Sequence, residues 1–179
     1  MVLNSKTFFS ICIFLYFMSG CSTVLFNTEK KDFNAGEELF NKGDCDGAKL
    51  KLEEALRKDP GLWKGYYYMA ECALKGADYQ EALQLAKKAL NLIGKNGNDR
   101  KLIEPLLLKS GQGALNREDY ENAILFFKEL VSLNPDASSS HLWLGKAFLD
   151  RGGNSDLKAA IIAFKNALNI SKDIENDTK

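Results

Sequence analysis

Small, apolar and turn residues recur at fixed distances along the chain from about residue 35 onward. The spacings 12, 7 and 5 occur three times, in the sets Gly36, Ala48, Ala55, Pro60; Ala70, Ala82, Ala89, Gly94; and Gly111, Ala123, Leu130, Pro135. A fourth set, Gly145, Ala160 and Ala167, has spacings of 15 and 7, which indicates a turn longer by three residues. Apolar residues at a helical period continue these faces, as Ile124 and Phe127 do in the third set and Ile161, Phe164 and Leu168 do in the fourth. The pattern predicts four pairs of helices that approach each other closely at the small residues.

Turn residues fall between the two helices of each predicted pair. The turns are Lys42-Gly43-Asp44, Gly76-Ala77-Asp78, Asn116-Arg117-Glu118-Asp119 and Arg151 to Ser155. Pro60 and Pro135 end the second helices of the first and third pairs, because proline cannot continue a helix. Seven extra residues, Gly94 to Arg100, predict a loop between the second and third pairs. The sequence leaves open whether an extended helix from Asp99 to Asn116, with Pro105 in its early turns, follows that loop.

A helix-turn-helix unit of 34 residues with small residues at these positions resembles the tetratricopeptide repeat. The resemblance implies an all-α solenoid of about four repeats, at residues 29–62, 63–96, 104–137 and 138–174. The repeat domain would then span residues 32–174, with a C-terminal tail at 175–179. We expect the last repeat to end near Ile170, and we expect its outer face to carry polar residues, namely Lys158, Lys165, Asn166 and Asn169.

The first twenty residues differ from the rest of the chain. Lys6 precedes a run from Thr7 to Met18 that is almost wholly apolar and too short to cross a bilayer as a helix. This is typical of a secretory signal peptide, which we place at residues 1–20. Met18-Ser19-Gly20-Cys21 resembles a bacterial lipobox, which implies that Cys21 is lipidated and becomes the mature N-terminus, followed by a tether over residues 21–31. Because Ser22 and not aspartate follows the cysteine, the resemblance favours a bacterial membrane lipoprotein of the outer membrane that faces the periplasm.

Charge and chemistry exclude several function classes. The chain carries 24 basic and 24 acidic residues, so it lacks the basic excess that binding to nucleic acid requires. His141 is the sole histidine, and no nucleophile, paired-carboxylate or phosphate-cradle motif is present, so we predict no enzyme, no metal site, no cofactor and no small-molecule substrate. His141 is expected to pack within its repeat.

Repeat arrays bind through the surface that the first helices of the repeats form. The family resemblance therefore implies an adaptor that binds a peptide or helix of a cell-envelope protein in this groove. A permanent structural subunit of an outer-membrane assembly machine, of the pilus-secretin or barrel-insertion type, remains the alternative. The two alternatives differ in the lifetime of the interface.

The candidate groove residues occupy equivalent positions on the four first helices. One row is Phe33, Tyr67, Leu108 and Leu142, and seven residues further on lies a second row, Phe40, Leu74, Leu115 and Leu149. Between them lie Glu37, Glu71, Gln112 and Lys146, with Lys75 beside Leu74. We expect the first row to be partly exposed, whereas the second row is equally compatible with the core. An exposed apolar strip bordered by polar residues is typical of a partner site.

Cys45 and Cys72 lie at helix ends that an antiparallel packing would place on the same side of the array. A disulfide is therefore geometrically allowed in an oxidising periplasm. The alternative, two separate thiols that serve as small apolar side chains, is favoured.

Overall fold

The computed structural model describes residues 30–94 and 97–177. The predicted signal peptide, Cys21 and most of the tether lie outside the described residues. The described residues fall into two compact units that divide between Met69 and Ala70, here called the N-terminal and C-terminal units. Within the described ranges all regular structure is helical, and none of these helices is long and apolar enough to cross a membrane.

Eight α-helices follow one another in the described part of the chain. Their bounds are α1 30–41, α2 Cys45–Lys58, α3 Trp63–Lys75, α4 Tyr79–Ile93, α5 Glu104–Leu115, α6 Tyr120–Leu133, α7 Ser138–Arg151 and α8 Asn154–Asp177. A short 3-10 helix, Asn98–Leu102, precedes α5. The all-α helix-turn-helix order predicted from the spacing is confirmed.

The three shorter turns use the same hydrogen-bonding device to start the second helix. The carboxylates of Asp44 and Asp78 each accept the backbone N–H three residues later at 2.9 Å, and Asp119 does so at 3.3 Å. An aspartate in this position accepts a hydrogen bond from an N–H group that has no partner within the helix, and its negative charge interacts favourably with the positive end of the helix dipole. The residue before each aspartate adopts a positive φ, which is 86° at Gly43 and 59° at Ala77.

In the N-terminal unit, glycine allows close helix approach. A Cβ built on Gly36 of α1 would lie 2.8 Å from Cγ of Leu52 on α2, and one on Gly65 would lie 2.9 Å from Cδ2 of Leu56. Ala48 and Leu52 are fully buried. The alanine predicted to face Gly36 is therefore in the core, but the tightest contact is with the leucine one turn later.

The C-terminal unit repeats this arrangement twice. A Cβ on Gly111 of α5 would lie 2.5 Å from Cε1 of Phe127 on α6, and one on Gly145 of α7 would lie 2.6 Å from Cε1 of Phe164 on α8. Helix α5 packs on α6, α6 on α7, and α7 on α8. Most of the largest fully buried side chains are in this core, among them Phe126, Phe127, Leu106, Leu107 and Ile103.

The structure decides one boundary that the sequence left open and differs from one that it predicted. The segment before α5 is the 3-10 helix and not the start of one long helix, and Pro105 lies in the first turn of α5, where a missing N–H costs nothing. Helix α8 continues past Ile170, where we expected the repeat to end, and past residue 174 to Asp177. Lys158, Lys165, Asn166 and Asn169 are exposed as expected. The assignment of Ile161 and Leu168 to a packing face is wrong, because both are exposed beside these polar residues.

Candidate functional site

Four aromatic side chains form a partly exposed cluster in the N-terminal unit. The ring of Tyr68 on α3 lies 6.0 Å from Phe33 and 5.0 Å from Phe40 of α1, and 5.3 Å from the neighbouring Tyr67. All four side chains are partly exposed. We call Phe33, Phe40, Tyr67 and Tyr68 the aromatic cluster. It joins three of the groove residues expected from the sequence through a tyrosine that the sequence did not single out.

Glu37, which lies between Phe33 and Phe40, is engaged by this cluster. The hydroxyl of Tyr68 donates a hydrogen bond to the Glu37 carboxylate. Burial, and after it this hydrogen bond, raises the pKa of Tyr68 from its ordinary value of 10.0 to about 12. The phenol is therefore neutral at physiological pH and fixes the orientation of Glu37.

Tyr68 was missed because Tyr66, Tyr67 and Tyr68 are consecutive. Three adjacent aromatic residues on a helix point in directions about 100° apart, so a repeat register that selects Tyr67 also excludes its neighbours. In the structure Tyr66 is buried, while Tyr68 contacts α1. The feature of the sequence that could have indicated Tyr68 is its hydroxyl, because a partly buried tyrosine hydroxyl needs a polar partner.

Three predicted residues near the end of α3 belong to the C-terminal unit. Glu71 and Leu74 are partly exposed, and Lys75 is exposed in the last turn. Nothing in the described geometry gathers them into a pocket, so they remain groove residues only as an expectation.

A shallow depression of about 260 Å³ lies between α5 and α7 in the C-terminal unit. It contains three of the predicted residues, Gln112, Leu115 and Lys146, and three that the sequence did not single out, Asn116, Trp143 and Asp150. Leu115 is nevertheless buried, so it forms the apolar floor and offers little surface to a ligand.

Two contacts hold the side chains around this depression. The Lys146 ammonium is paired with the Asp150 carboxylate at 2.7 Å, one helical turn away. The indole of Trp143 stacks on Phe127, with 5.8 Å between the ring centroids. Leu108 on α5 is partly exposed, whereas Leu142 and Leu149 on α7 are each 50% exposed.

Cys45, Cys72 and His141 are the residues whose chemistry the sequence left to be decided. Cys45 and Cys72 are both thiols, one partly exposed and one buried, so the disulfide that the sequence allowed is not formed in this structure. His141 is buried, and its Nε2 lies 2.9 Å from the carbonyl oxygen of Pro135. In the described ranges no group of three or more histidine, cysteine, aspartate or glutamate side chains could hold a metal ion.

Comparison with known proteins places this geometry in a family. The tetratricopeptide-repeat family model matches residues 33–99 and 108–173, which together make up more than half of the chain. No curated protein matches the chain significantly.

Solved structures of low sequence identity share the fold. A crystal structure of MamA is 18% identical, with a TM-score of 0.55 over 84% of this chain and 82% of that one. MamA 41-end from Desulfovibrio magneticus RS-1 is 21% identical, with a TM-score of 0.53 over 80% and 75%. The N-terminal domain of stress-induced protein-1 from C. elegans is 18% identical, with a TM-score of 0.54 over 72% and 98%.

Proposed function

Because this chain belongs to the tetratricopeptide-repeat family, we propose that it is a membrane-anchored adaptor that binds a peptide or helix of a bacterial cell-envelope protein. Repeats of this family are protein-interaction modules, and stacked repeats expose a continuous surface for a partner. The observation that carries the proposal is the aromatic cluster, where Phe33, Phe40 and Tyr67 remain partly exposed around Tyr68.

The cluster has the chemistry of a peptide-binding surface. Tyrosine and phenylalanine supply large contact areas at low entropic cost, and aromatic residues dominate the residues that contribute most to binding. The fixed Glu37 carboxylate at the centre retains acceptor capacity beyond the hydrogen bond from Tyr68. A segment with apolar anchors and a donor between them fits this arrangement.

The lipobox-like sequence Met18-Ser19-Gly20-Cys21 supports the membrane anchor. One acyl chain gives only marginal membrane binding, whereas two give stable attachment, and a lipoprotein carries at least two. Ser22 favours the outer membrane, so the repeats would work in the periplasm within reach of the short tether. The alternative is that the chain is a permanent structural subunit of an outer-membrane assembly machine.

The anchor is tested by expressing the chain with its own N-terminus in a bacterial host and comparing it with Cys21→Ser. We expect the parent chain in the membrane fraction with a lipid-modified Cys21 by mass spectrometry, and the variant as an unprocessed or soluble form. An unmodified cysteine at the mature N-terminus, or an intact Met1, would show that the anchor is wrong.

The binding surface is tested by changing Phe33 and Tyr67 of the aromatic cluster together to serine, with Leu50→Ser as the control. Leu50 is a 64% exposed leucine on α2, outside the groove positions. Proteins that co-purify from detergent-solubilised envelope are quantified for each variant. Loss of a binding hot spot of ~2 kcal/mol lowers recovery of the partner about 30-fold, while the control leaves it unchanged.

Two further measurements check the fold of the double variant and distinguish an adaptor from a permanent subunit. Thermal unfolding must remain cooperative in the double variant, because unfolding would also abolish co-purification. A partner that exchanges with added competitor protein indicates an adaptor, whereas one that never dissociates indicates a permanent subunit. Equal recovery by the double variant and the control contradicts the groove.

A further inference from the structure

One face of the C-terminal unit, formed by α7 and α8, exposes an unusual number of large apolar side chains. Leu142 and Leu149 of α7 are each 50% exposed, and Leu157, Ile161 and Leu168 of α8 are 50%, 46% and 54% exposed. We call these five residues the end surface. Exposed apolar side chains of this number on two packed helices are typical of a surface that another molecule covers.

The preceding repeat shows what covers such a surface. Gly111 and Gly145 meet Phe127 and Phe164 in the same way, which fixes the register between the third and fourth repeats. In that register, the residues that correspond to the end surface are Leu108, Leu115, Tyr120, Ile124 and Val131. Ile124 is 3% exposed where Ile161 is 46%, and Leu115 is 8% exposed where Leu149 is 50%.

Helix α7 covers the third repeat. It packs on α6, and its Trp143 stacks on Phe127 and lines the depression with Leu115. The fourth repeat presents apolar residues of the same kind, but among the described residues no helix lies on them. The end surface therefore has the side-chain chemistry of a site for one more amphipathic helix.

Charge distinguishes a helix that would bind the end surface from α7 itself. Arg151 of α7 donates to both carboxylate oxygens of Glu121 on α6 at 2.9 Å. The residue that corresponds to Glu121 in the fourth repeat is Lys158, and it is exposed. Where α7 carries an arginine, a helix on the end surface must carry an acid.

Aromatic residues of α7 add to this partner chemistry, since Trp143 stacks on Phe127, which corresponds to Phe164. The ammonium of Lys128 on α6 lies 5.7 Å from the ring centroid of Phe148 on α7, a cation–π contact. Lys128 corresponds to Lys165, which is exposed, and Lys172 continues the row after another seven residues. We propose that the end surface binds an amphipathic helix of a partner protein that has acidic residues along one flank and an aromatic residue opposite Phe164.

A second copy of this chain fits the end surface less well. In an antiparallel pair of α8 helices, the lysine row of one copy would lie beside the lysine row of the other, and like charges disfavour this contact. Helix α1 is no better as an occupant, because its exposed residues are polar: Lys30, Lys31, Asn34 and Glu38.

The test uses the full chain and two synthetic peptides. The first probe is a hydrocarbon-stapled helix with the sequence of α7, residues 138–151, that carries Arg151→Glu, and the second keeps the arginine. Stapling is needed because a free helix of this length is marginal in water. Binding is measured by fluorescence anisotropy of the labelled peptide against increasing chain concentration.

We expect the acidic peptide to bind roughly fivefold more tightly than the arginine peptide, the size of an exposed charge pair. Lys158→Glu in the chain should reverse this preference, whereas Lys101→Glu, an exposed lysine of the 3-10 helix, should leave it unchanged. Ile161→Asp should abolish binding of both peptides. Because Ile161 is already half-exposed, this substitution leaves the fold intact, which thermal unfolding checks.

Three outcomes would overturn the proposal: equal binding of the two peptides, an unchanged preference in Lys158→Glu, or a dimer in sedimentation velocity that Ile161→Asp dissolves. The last outcome would make a second copy the occupant. The double variant of Phe33 and Tyr67 separates this proposal from the aromatic cluster, because it should lose the envelope partner and keep the peptide.

Discussion

Replacing Gly111 with alanine would place a methyl group inside the contact distance of a buried aromatic ring. The Cβ would lie 2.5 Å from Cε1 and 2.7 Å from Cζ of Phe127, whereas favourable carbon contacts are at about 3.5–4.0 Å. Phe127 has little freedom to move, because it is fully buried and stacked on Trp143. The overlap must therefore be relieved by shifting α5 against α6.

The expected loss follows from two opposing contributions. Overpacking of this kind costs roughly 1–3 kcal/mol. Removing a glycine from a helix interior gains up to about 1 kcal/mol, because the unfolded chain loses conformational freedom. We expect the free energy of unfolding to fall by about 1 kcal/mol, and by no more than about 2 kcal/mol.

Gly113 on the same helix is the matched control. A Cβ there would meet Tyr79 no closer than 3.4 Å, at the mobile hydroxyl end of that side chain. Gly113→Ala should therefore stabilise the chain by about 0.5–1 kcal/mol. Because the helix-propensity gain is common to both substitutions, the difference between them isolates the steric cost of about 1–3 kcal/mol.

Urea unfolding followed by far-ultraviolet circular dichroism measures the free energy of unfolding of both variants. Two further variants, Phe127→Leu alone and Phe127→Leu combined with Gly111→Ala, complete a double-mutant cycle. The new methyl should fill part of the space left by the smaller leucine, so the combined loss should be less than the sum of the two single losses. Stabilisation by Gly111→Ala equal to that by Gly113→Ala, or strict additivity in the cycle, would refute close helix approach as the reason for glycine at this position.

Two further predictions concern pH. The alkaline absorbance difference between the parent chain and Tyr68→Phe should titrate with a midpoint of about 12, and Glu37→Gln should lower this midpoint. Because the pKa of Tyr68 is raised in the folded state, the stability that the neutral phenol contributes is complete below about pH 10 and is lost as the pH rises toward 12. A midpoint near 10 in the parent chain would contradict the buried hydrogen bond. The hydrogen bond from the Arg151 guanidinium lowers the pKa of the Asp156 carboxyl below its ordinary value of 3.8. The Arg151–Asp156 pair therefore stabilises the fold fully above the ordinary pKa, and this stabilisation is lost as the pH falls through the lower pKa of the folded state. The urea midpoint of the parent chain should therefore fall more steeply below about pH 4 than that of Asp156→Asn, and identical acid limbs would show that the pair does not stabilise the fold.

The sequence determined the local elements of this protein because their signals are local. A run such as Lys42-Gly43-Asp44 contains the residue that tolerates a positive φ and the aspartate that caps the next helix, and both act within a few residues. The recurrence of Gly36, Gly111 and Gly145 fixed where helices approach, since only the smallest side chain permits those contacts. The fold class and the repeat order follow from these signals.

The groove residues were only partly determined by the sequence. The register correctly indicated partial exposure of Phe33, Tyr67 and Leu108, but it could not choose between Tyr67 and Tyr68 as the ring that contacts α1. That choice depends on the rotation of α3 within the N-terminal unit. Leu115 shows the same limit, because it is buried in a depression that residues of the next repeat, such as Trp143, also line.

Only the tertiary structure decided which apolar residues are core. Ile124 and Ile161 have the same side chain and equivalent positions in their repeats, and the sequence assigned both to a packing face. Ile124 is buried on α6, which packs against α7, whereas Ile161 is half-exposed, because burial requires a neighbouring helix and not only an apolar side chain. A single repeat fixes which face of each helix is apolar, whereas the neighbour that covers that face belongs to another part of the chain or to a partner.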